Sequence, residues 1–179
     1  KEKIVFHVIG DGEYSKKLLN YKSEHFSIER VDYIRPNQLS KYMLKFDMVF
    51  VMGTTALDSS RIGVPTVRLD YSFSKISDDY LYKMIYEVSG FSLGENLDGR
   101  CFSKGRHSFD ALMESIKKDR FALSRKCFDY YIQNHSIENS AKIFINYATN
   151  SNLKWRDLRK ERVLQSIFYN FWKIFKNKF

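Results

Sequence analysis

The sequence predicts an α/β fold: a parallel sheet of about four to five strands with helices on both faces, followed by C-terminal helices. Over the first 70 residues, short apolar runs alternate with amphipathic stretches, which is typical of successive βαβ units. The apolar runs are nearly continuous instead of alternating with polar residues. This favours strands that are buried on both faces of a parallel sheet.

The predicted elements follow one another in strand–helix order. Strands are expected at 4–9, 27–34, 48–52 and 66–69, and helices at 14–24, 36–46 and 54–62. Pro36 suits the first turn of its helix, because the N–H that it lacks would have no partner there. Gly63 and Pro65 end the third helix. Beyond residue 72 we expect helices at 77–88, 108–118, 120–134, 137–148 and 154–176, and a loop at 90–100.

Length and composition suit one domain with an appended element. The chain has 179 residues, of which 44% are hydrophobic and 16% aromatic, enough for a folded core. We expect a domain at 1–150 and a basic amphipathic helix at 151–179. No apolar run reaches the roughly 18 residues of a membrane-spanning helix, and the first residues do not resemble a signal peptide. Since the chain does not begin with Met, we expect an excised fragment. The two cysteines, which show no metal-ligand spacing, favour a reduced, cytoplasmic location.

Cysteine and histidine spacing gives no sign of a metal site. Cys101 and Cys127 are 26 residues apart, and the four histidines are scattered, whereas zinc sites need clustered ligands. We therefore predict reduced cysteines, no bound metal and no cofactor.

The positive charge is concentrated near the C-terminus. The net charge is +9, and residues 151–179 contain eight Lys or Arg against two Asp or Glu, which leaves the preceding residues only mildly basic. Any partner that the charge implies therefore concerns this tail, and no nucleic-acid partner is predicted. Apolar residues recur in the tail at helical spacing, at Leu164, Ile167, Phe168, Phe171, Trp172 and Phe175.

Two interpretations of the tail stay open. A basic amphipathic helix that is rich in aromatic residues binds to an anionic membrane surface. The same apolar stripe equally suits packing against this domain or against a second domain.

The turns that follow the predicted strands are the expected place of function. Right-handed crossovers bring these turns to one edge of a parallel sheet, and ligands bind there, beyond the carboxyl ends of the strands. The turns are Gly10-Asp11-Gly12, Arg35-Pro36, Gly53-Thr54-Thr55 and Asp70-Tyr71. Arg35, Arg61 and Arg68 are candidate cations for a phosphate, although each also suits a solvated surface position.

The turn after the third strand is the most informative. A strand that ends at Gly53 lets the backbone approach a ligand closely. A helix that begins at Thr54 presents unpaired N–H groups and the positive end of its dipole, and such a helix start binds diphosphates. Asp58, one turn further, is placed to accept hydrogen bonds from a ribose diol. Thr55 and Asp58 also fit a capping box, so a structural role competes with a binding role.

The segment Asp58-Ser59-Ser60-Arg61-Ile62-Gly63-Val64-Pro65 resembles the segment before the last core strand in one family of enzymes. These are the glycosyltransferases with two Rossmann domains (GT-B type), and the similar segment lies in their donor-binding domain, with Asp58 here in place of the usual Glu. Val8-Ile9-Gly10-Asp11-Gly12 is similar to the family's first strand and turn. Val31-Asp32-Tyr33-Ile34-Arg35 resembles its next strand. The resemblance covers about residues 4–70.

The resemblance implies a Rossmann-like domain that binds a UDP- or GDP-sugar and transfers the sugar to a polysaccharide or lipid-linked acceptor. By this resemblance Asp58 binds the ribose, and Gly53, Thr54 and Thr55 bind the diphosphate. The remaining donor-binding positions are Gly10, Asp11, Gly12 and Arg35. The pattern is closest to enzymes of bacterial capsule assembly, in which a separate N-terminal domain binds the acceptor.

The chain also departs from the family. Phe50 stands where retaining members often carry an earlier acidic residue, so retaining or inverting chemistry stays open and no catalytic residue is assigned. The first strand–helix unit, which commonly supplies an Arg and a Lys, is absent. Two alternatives therefore stay open: a catalytically silent Rossmann-like module that its basic helix docks to a membrane or a protein, and a sugar-nucleotide epimerase.

Overall fold

The computed structural model describes residues 3–10, 12, 22–89, 92–98, 105–152 and 154. These residues form a mixed α/β structure that ends in helices. The strands are β1 (Ile4–Ile9), β2 (Phe26–Val31), β3 (Val49–Val51), β4 (Thr66–Arg68) and β5 (Lys83–Met84). The helices are α1 (Pro36–Met43), α2 (Thr54–Arg61), α3 (Phe109–Asn134) and α4 (Ile137–Asn150), and a short 3-10 turn covers Ile85–Glu87.

The strands form two small sheets. β1 and β2 are parallel and pair from Ile4 opposite Phe26 to Ile9 opposite Val31. In the second sheet β4 lies between β3, which is parallel to it, and β5, which is antiparallel. A mixed α/β fold with parallel pairing and C-terminal helices is therefore present. A single parallel sheet of four or five strands is not confirmed by the hydrogen bonds of the described residues.

Most predicted elements between residues 26 and 70 are present, although they are shorter than expected. The strand predicted at 48–52 is Val49–Val51, and the helix predicted at 54–62 is Thr54–Arg61. Pro36 stands at the start of α1 as predicted. Apolar runs and glycine punctuation are local signals, and this explains why they place these elements correctly.

The prediction of a helix at 77–88 is wrong. Residues 83–84 instead form β5, and Ile85–Glu87 form the 3-10 turn. β5 pairs along the edge of β4, with Lys83 opposite Arg68 and Met84 opposite Val67. Pairing with a distant strand overrides local helix propensity here, and the residues that form the pair are not adjacent in sequence.

The helix predicted at 14–24 lies mostly outside the described residues. Its last part, residues 22–24, is not helical, because Lys22 forms an antiparallel bridge with Ser27 and the N–H of Ser23 donates to the carbonyl of Phe26. The helix predicted at 154–176 also lies outside the described residues, apart from Lys154. The same holds for its apolar residues Ile167, Phe168, Phe171, Trp172 and Phe175.

The helices predicted at 108–118 and 120–134 are continuous as α3, which is kinked at Asp119 (φ −161°, ψ 81°). Ser108 caps the first half by accepting from the N–H of Ala111 at 3.2 Å. Asp119 caps the second half in the same way, accepting from the N–H of Ala122 at 2.8 Å. A second N-cap inside the helix explains why the sequence signals two helices.

The main core lies between the second sheet and the helices α2 and α3. Its fully buried members are Ala56, Val67, Met84, Ile85, Leu112 and Cys127, with Tyr130 nearly so. The N–H of Thr66 in β4 donates to Sγ of Cys127 in α3 at 3.4 Å. Burial raises the pKa of the Cys127 thiol to about 12, so this free cysteine stays protonated and unreactive at neutral pH.

The chain divides into two compact units, Lys1–Ser136 and Ile137–Phe179. The first contains both sheets and α1 to α3. In the second, the described part is chiefly α4, which has no buried residue and exposes Ile137, Phe144 and Tyr147. Within the described part of the chain, no helix is long and apolar enough to cross a membrane.

Candidate functional site

The segment after β3 is the strand–turn–helix that the sequence predicts. Gly53 precedes α2 with φ 65° and ψ −153°, a backbone conformation that is almost restricted to glycine. Its N–H donates to the carbonyl of Leu93 at 2.8 Å, and its carbonyl accepts from the N–H of Ala56 at 3.1 Å. Within the described residues, the N–H groups of Thr54 and Thr55 have no hydrogen-bond acceptor. Two amides at the start of α2 thus remain open to a ligand.

Asp58 lies one turn into α2 with its side chain half exposed. The exposed fraction is 50%, and the carboxylate is 3.8 Å from the guanidinium of Arg61. The capping box that competed for Asp58 is not formed, because Gly53 is the N-cap and Thr55 lies inside the helix. The Asp58 carboxylate therefore has no capping role, and a weak surface ion pair is its only described interaction.

The other predicted binding residues follow β1 and β2 in the sequence. The N–H of Gly10 donates to the carbonyl of Val31 at 3.0 Å, so these two strand ends are adjacent. Gly12 is exposed, and Asp11 lies outside the described residues. Arg35 is exposed at the N-cap of α1, where its carbonyl accepts from the N–H of Gln38. Gly10 thus adjoins the first sheet, whereas Gly53, Thr54 and Asp58 adjoin the second.

Residues 92–98 run along the carboxyl ends of β3 and β4, and sequence analysis assigned them no role. Beyond the bond from Gly53 to Leu93, the N–H of Tyr71 donates to the carbonyl of Glu95 at 2.9 Å, and Leu97 donates to Tyr71 at 2.8 Å. Gly94 has φ 154°, and a Cβ there would lie 3.2 Å from the carbonyl oxygen of Leu69. This segment, the edge loop, closes part of the sheet edge and leaves the start of α2 open.

A buried ion network lies directly below the edge loop. The guanidinium of Arg68 is fully buried and contacts Asp70 at 2.6 Å and Glu95 at 3.4 Å. The ammonium of Lys83 is 3.4 Å from Asp70 and 3.5 Å from Glu95. Two cations that face each other across antiparallel strands would repel. The carboxylates of Asp70 and Glu95 contact both cations and offset this repulsion.

Asp70 is the centre of this network. Its carboxylate also accepts from the hydroxyl of Tyr80 at 2.8 Å and from the N–H of Glu95 at 2.9 Å. Burial and the hydrogen bond to Asp70 raise the pKa of Tyr80 above its ordinary value, so Tyr80 remains a donor. Asp70 therefore joins the end of β4, the start of β5 and the edge loop through a single side chain.

The network corrects one sequence expectation. Arg68 was a candidate phosphate cation or a solvated surface charge, but it is fully buried and its guanidinium pairs with Asp70 and Glu95. Arg61 and Arg35 are partly or fully accessible. The sequence did contain a signal for the pair of Arg68 and Asp70, since residues at i and i+2 on a strand share a face. The sequence contained no such signal for Lys83 and Glu95. Lys83 was predicted in a helix and Glu95 in a loop, so neither was expected beside β4.

Comparisons with protein-family models, with curated proteins and with solved structures gave no significant match to this chain.

The Asp70→Asn variant tests the network. The substitution removes a nearly fully buried carboxylate that contacts both Arg68 and Lys83. We expect a loss of about 3–5 kcal/mol in the free energy of unfolding, measured by urea denaturation, because an uncompensated buried charge is costly.

Asp78→Asn is the matched control for that experiment. Asp78 also pairs with a lysine, at 3.5 Å from Lys75, but both side chains are more than four-fifths exposed. Its loss should leave the urea midpoint nearly unchanged. A loss for Asp70→Asn as small as the control's would contradict the role given to the network.

Proposed function

We propose that this chain is the donor-binding domain of a glycosyltransferase and binds the diphosphate of a UDP- or GDP-sugar at the start of α2. The observation that carries the proposal is the pair of open N–H groups at Thr54 and Thr55, which follow a glycine two residues beyond the end of the parallel strand β3. A helix start of this kind supplies N–H donors and positive dipole charge to an anion.

The half-exposed carboxylate of Asp58 supports the placement of the ribose. A ribose diol is a pair of hydroxyl donors, and a carboxylate with free acceptor positions is their natural partner. The pairing of Asp58 with Arg61 at 3.8 Å is weak, so it does not compete strongly for the carboxylate. Arg35, at the N-cap of α1, is proposed to contact the base.

A single Rossmann-like layer is also part of the proposal. The rings of Phe6 in β1 and Phe50 in β3 have centroids 5.9 Å apart, which favours β1 and β3 as neighbours. In that arrangement the strand order is β2-β1-β3-β4-β5, and the turns at Gly10, Arg35 and Gly53 share one edge. The donor then lies along that edge, beyond the carboxyl ends of the parallel strands.

Catalysis requires more than this domain in our proposal. A departing nucleoside diphosphate needs stabilisation by helix amides or cations, and the start of α2 supplies amides. The acceptor hydroxyl and any general base are assigned to a separate acceptor-binding domain. The acceptor is proposed to be a growing surface polysaccharide or a lipid-linked saccharide of a bacterium. The alternative is a catalytically silent Rossmann-like module that its basic helix docks to a membrane or a protein partner.

Titration calorimetry with UDP and GDP tests the donor site. We expect saturable binding to the unmodified chain, and for Asp58→Ala a loss of affinity of about tenfold, which corresponds to one hydrogen bond to a charged group. The urea midpoint should hardly change, because Asp58 has no capping role.

Asp110→Ala provides the matched control, since Asp110 is an exposed aspartate in the first turn of α3. Its affinity for UDP and GDP should equal that of the unmodified chain. Absence of saturable heat at millimolar nucleotide for the folded chain would remove the proposal. Equal affinity in the Asp58 and Asp110 variants would remove the role of Asp58.

We further propose that residues 151–179 bring the protein to the cytoplasmic face of the plasma membrane. Eight Lys or Arg against two acidic residues, together with the apolar residues Ile167, Phe168, Phe171, Trp172 and Phe175, suit an anionic lipid surface. Flotation with phosphatidylglycerol vesicles should carry the full chain, and less of it at high salt. A chain that ends at Asn152 should not float with the vesicles. Equal flotation of both chains would exclude this role and favour packing on a protein.

A further inference from the structure

The turn that follows β4 exposes two aromatic rings. Phe73 is 88% exposed and Tyr71 is 42% exposed. Their ring centroids are 6.0 Å apart and their planes meet at 84°. The two rings, which we call the aromatic corner, thus present two nearly perpendicular surfaces to solvent. Large exposed apolar rings are unfavourable in water unless something contacts them.

Hydrogen bonds fix this turn. The hydroxyl of Ser72 donates to Oδ1 of Asp98 at 2.8 Å, and the N–H of Phe73 donates to Oδ2 at 2.6 Å. The N–H of Ser74 donates to the hydroxyl of Ser72 at 2.9 Å. The bond from the Phe73 N–H, followed by the Ser72 hydroxyl, lowers the pKa of Asp98, so its carboxylate is ionised at neutral pH. A ligand that contacts Phe73 therefore does not have to order the backbone first.

The aromatic corner lies at the same sheet edge as the start of α2. Tyr71 is three residues beyond the end of β4 and is hydrogen-bonded to Glu95 and Leu97 of the edge loop. Gly53 is hydrogen-bonded to Leu93 of the same loop. Two residues of extended chain span about 7 Å. Leu93, which is bonded to Gly53, and Glu95, which is bonded to Tyr71, are therefore close together. The aromatic corner and the two open amides are thus separated by less than the length of a sugar nucleotide.

The chemistry of the corner suits a ring with one apolar face and a polar rim. The face of an aromatic ring carries negative charge density and attracts the slightly positive C–H groups of a pyranose. Oxygen acceptors border the corner, at the exposed residues Asp98 and Ser74 and at the half-buried Ser72. They suit the hydroxyl groups on the rim of a sugar, whereas a nucleobase needs only the aromatic face.

We propose that the aromatic corner of Tyr71 and Phe73 binds a pyranose ring by stacking. The ring is either the sugar of the nucleotide donor or a saccharide of the acceptor. Only the first case rests on the proposed donor-binding function, because an acceptor saccharide would use the corner without a nucleotide. Phe73 is the principal stacking surface, and Asp98 holds it in position.

Saturation-transfer NMR with the full chain tests this site. The probes are UDP, UDP-glucose, UDP-N-acetylglucosamine, GDP-mannose, and the free disaccharides maltose and lactose. Protein methyl and aromatic signals are saturated, and transfer to pyranose ring protons is read separately from transfer to base and ribose protons. We expect transfer to the pyranose of at least one probe.

Three variants make the test specific. Phe73→Ala should lower pyranose transfer at least fivefold, and Phe73→Trp should retain it because an aromatic face remains. Phe121→Ala is the matched control, since Phe121 is also an exposed ring, at 78% exposure, but lies on α3. It should leave the transfer unchanged. All these side chains are exposed, so equal urea midpoints are expected and confirm folding.

The outcomes separate this inference from the proposed function. If Phe73→Ala lowers saturation transfer to the pyranose but leaves transfer to the base and ribose, the result supports both the pyranose site and the donor site. If saturation is transferred to the nucleotide but transfer to the pyranose is the same in Phe73→Ala, the pyranose site is wrong and the donor site stands. Transfer to maltose or lactose alone, lost in Phe73→Ala, supports the corner and removes the donor site. Absence of pyranose transfer from every probe, or an equal loss in Phe121→Ala, overturns the inference.

Discussion

The ion pair between Arg68 and Asp70, 2.6 Å apart and buried, is the interaction on which the arrangement of the edge depends. Arg68 cannot remain buried without a carboxylate, and Asp70 in turn orders Tyr80, Lys83 and the N–H of Glu95. A strand end, an antiparallel strand and the edge loop are thereby held by one cluster of charged side chains. Such a cluster specifies position more than it adds stability, because desolvation offsets most of the Coulomb attraction.

This cluster holds the edge loop, which takes up part of the hydrogen-bonding capacity of the edge. The edge loop occupies the N–H of Gly53 through Leu93 and packs Gly94 against Leu69, and among the described residues the amides of Thr54 and Thr55 stay open to an anion. The same loop provides Asp98, which fixes the turn of Phe73. The proposed diphosphate site and the aromatic corner thus depend on one loop, and the ion network supports both.

Sequence reasoning succeeded where the signal was local. A buried apolar run, Gly53 and a short amphipathic stretch predicted the strand, turn and helix between residues 49 and 61, and the structure contains them. It failed where the determinant was distant in sequence. β5 exists because Lys83 and Met84 pair with β4, and the network forms because Glu95 reaches Arg68 across 27 residues. No periodicity within residues 77–88 could show either contact.

The central claim is that the open amides at the start of α2 hold a nucleoside diphosphate. Amide NMR spectra recorded during titration with UDP or GDP test it most directly, because they report the binding position as well as its strength. We expect saturable shifts that are largest at Gly53, Thr54 and Thr55 and small at Ala111, near the start of α3. Shifts that are absent, or spread evenly over both helix starts, would contradict it.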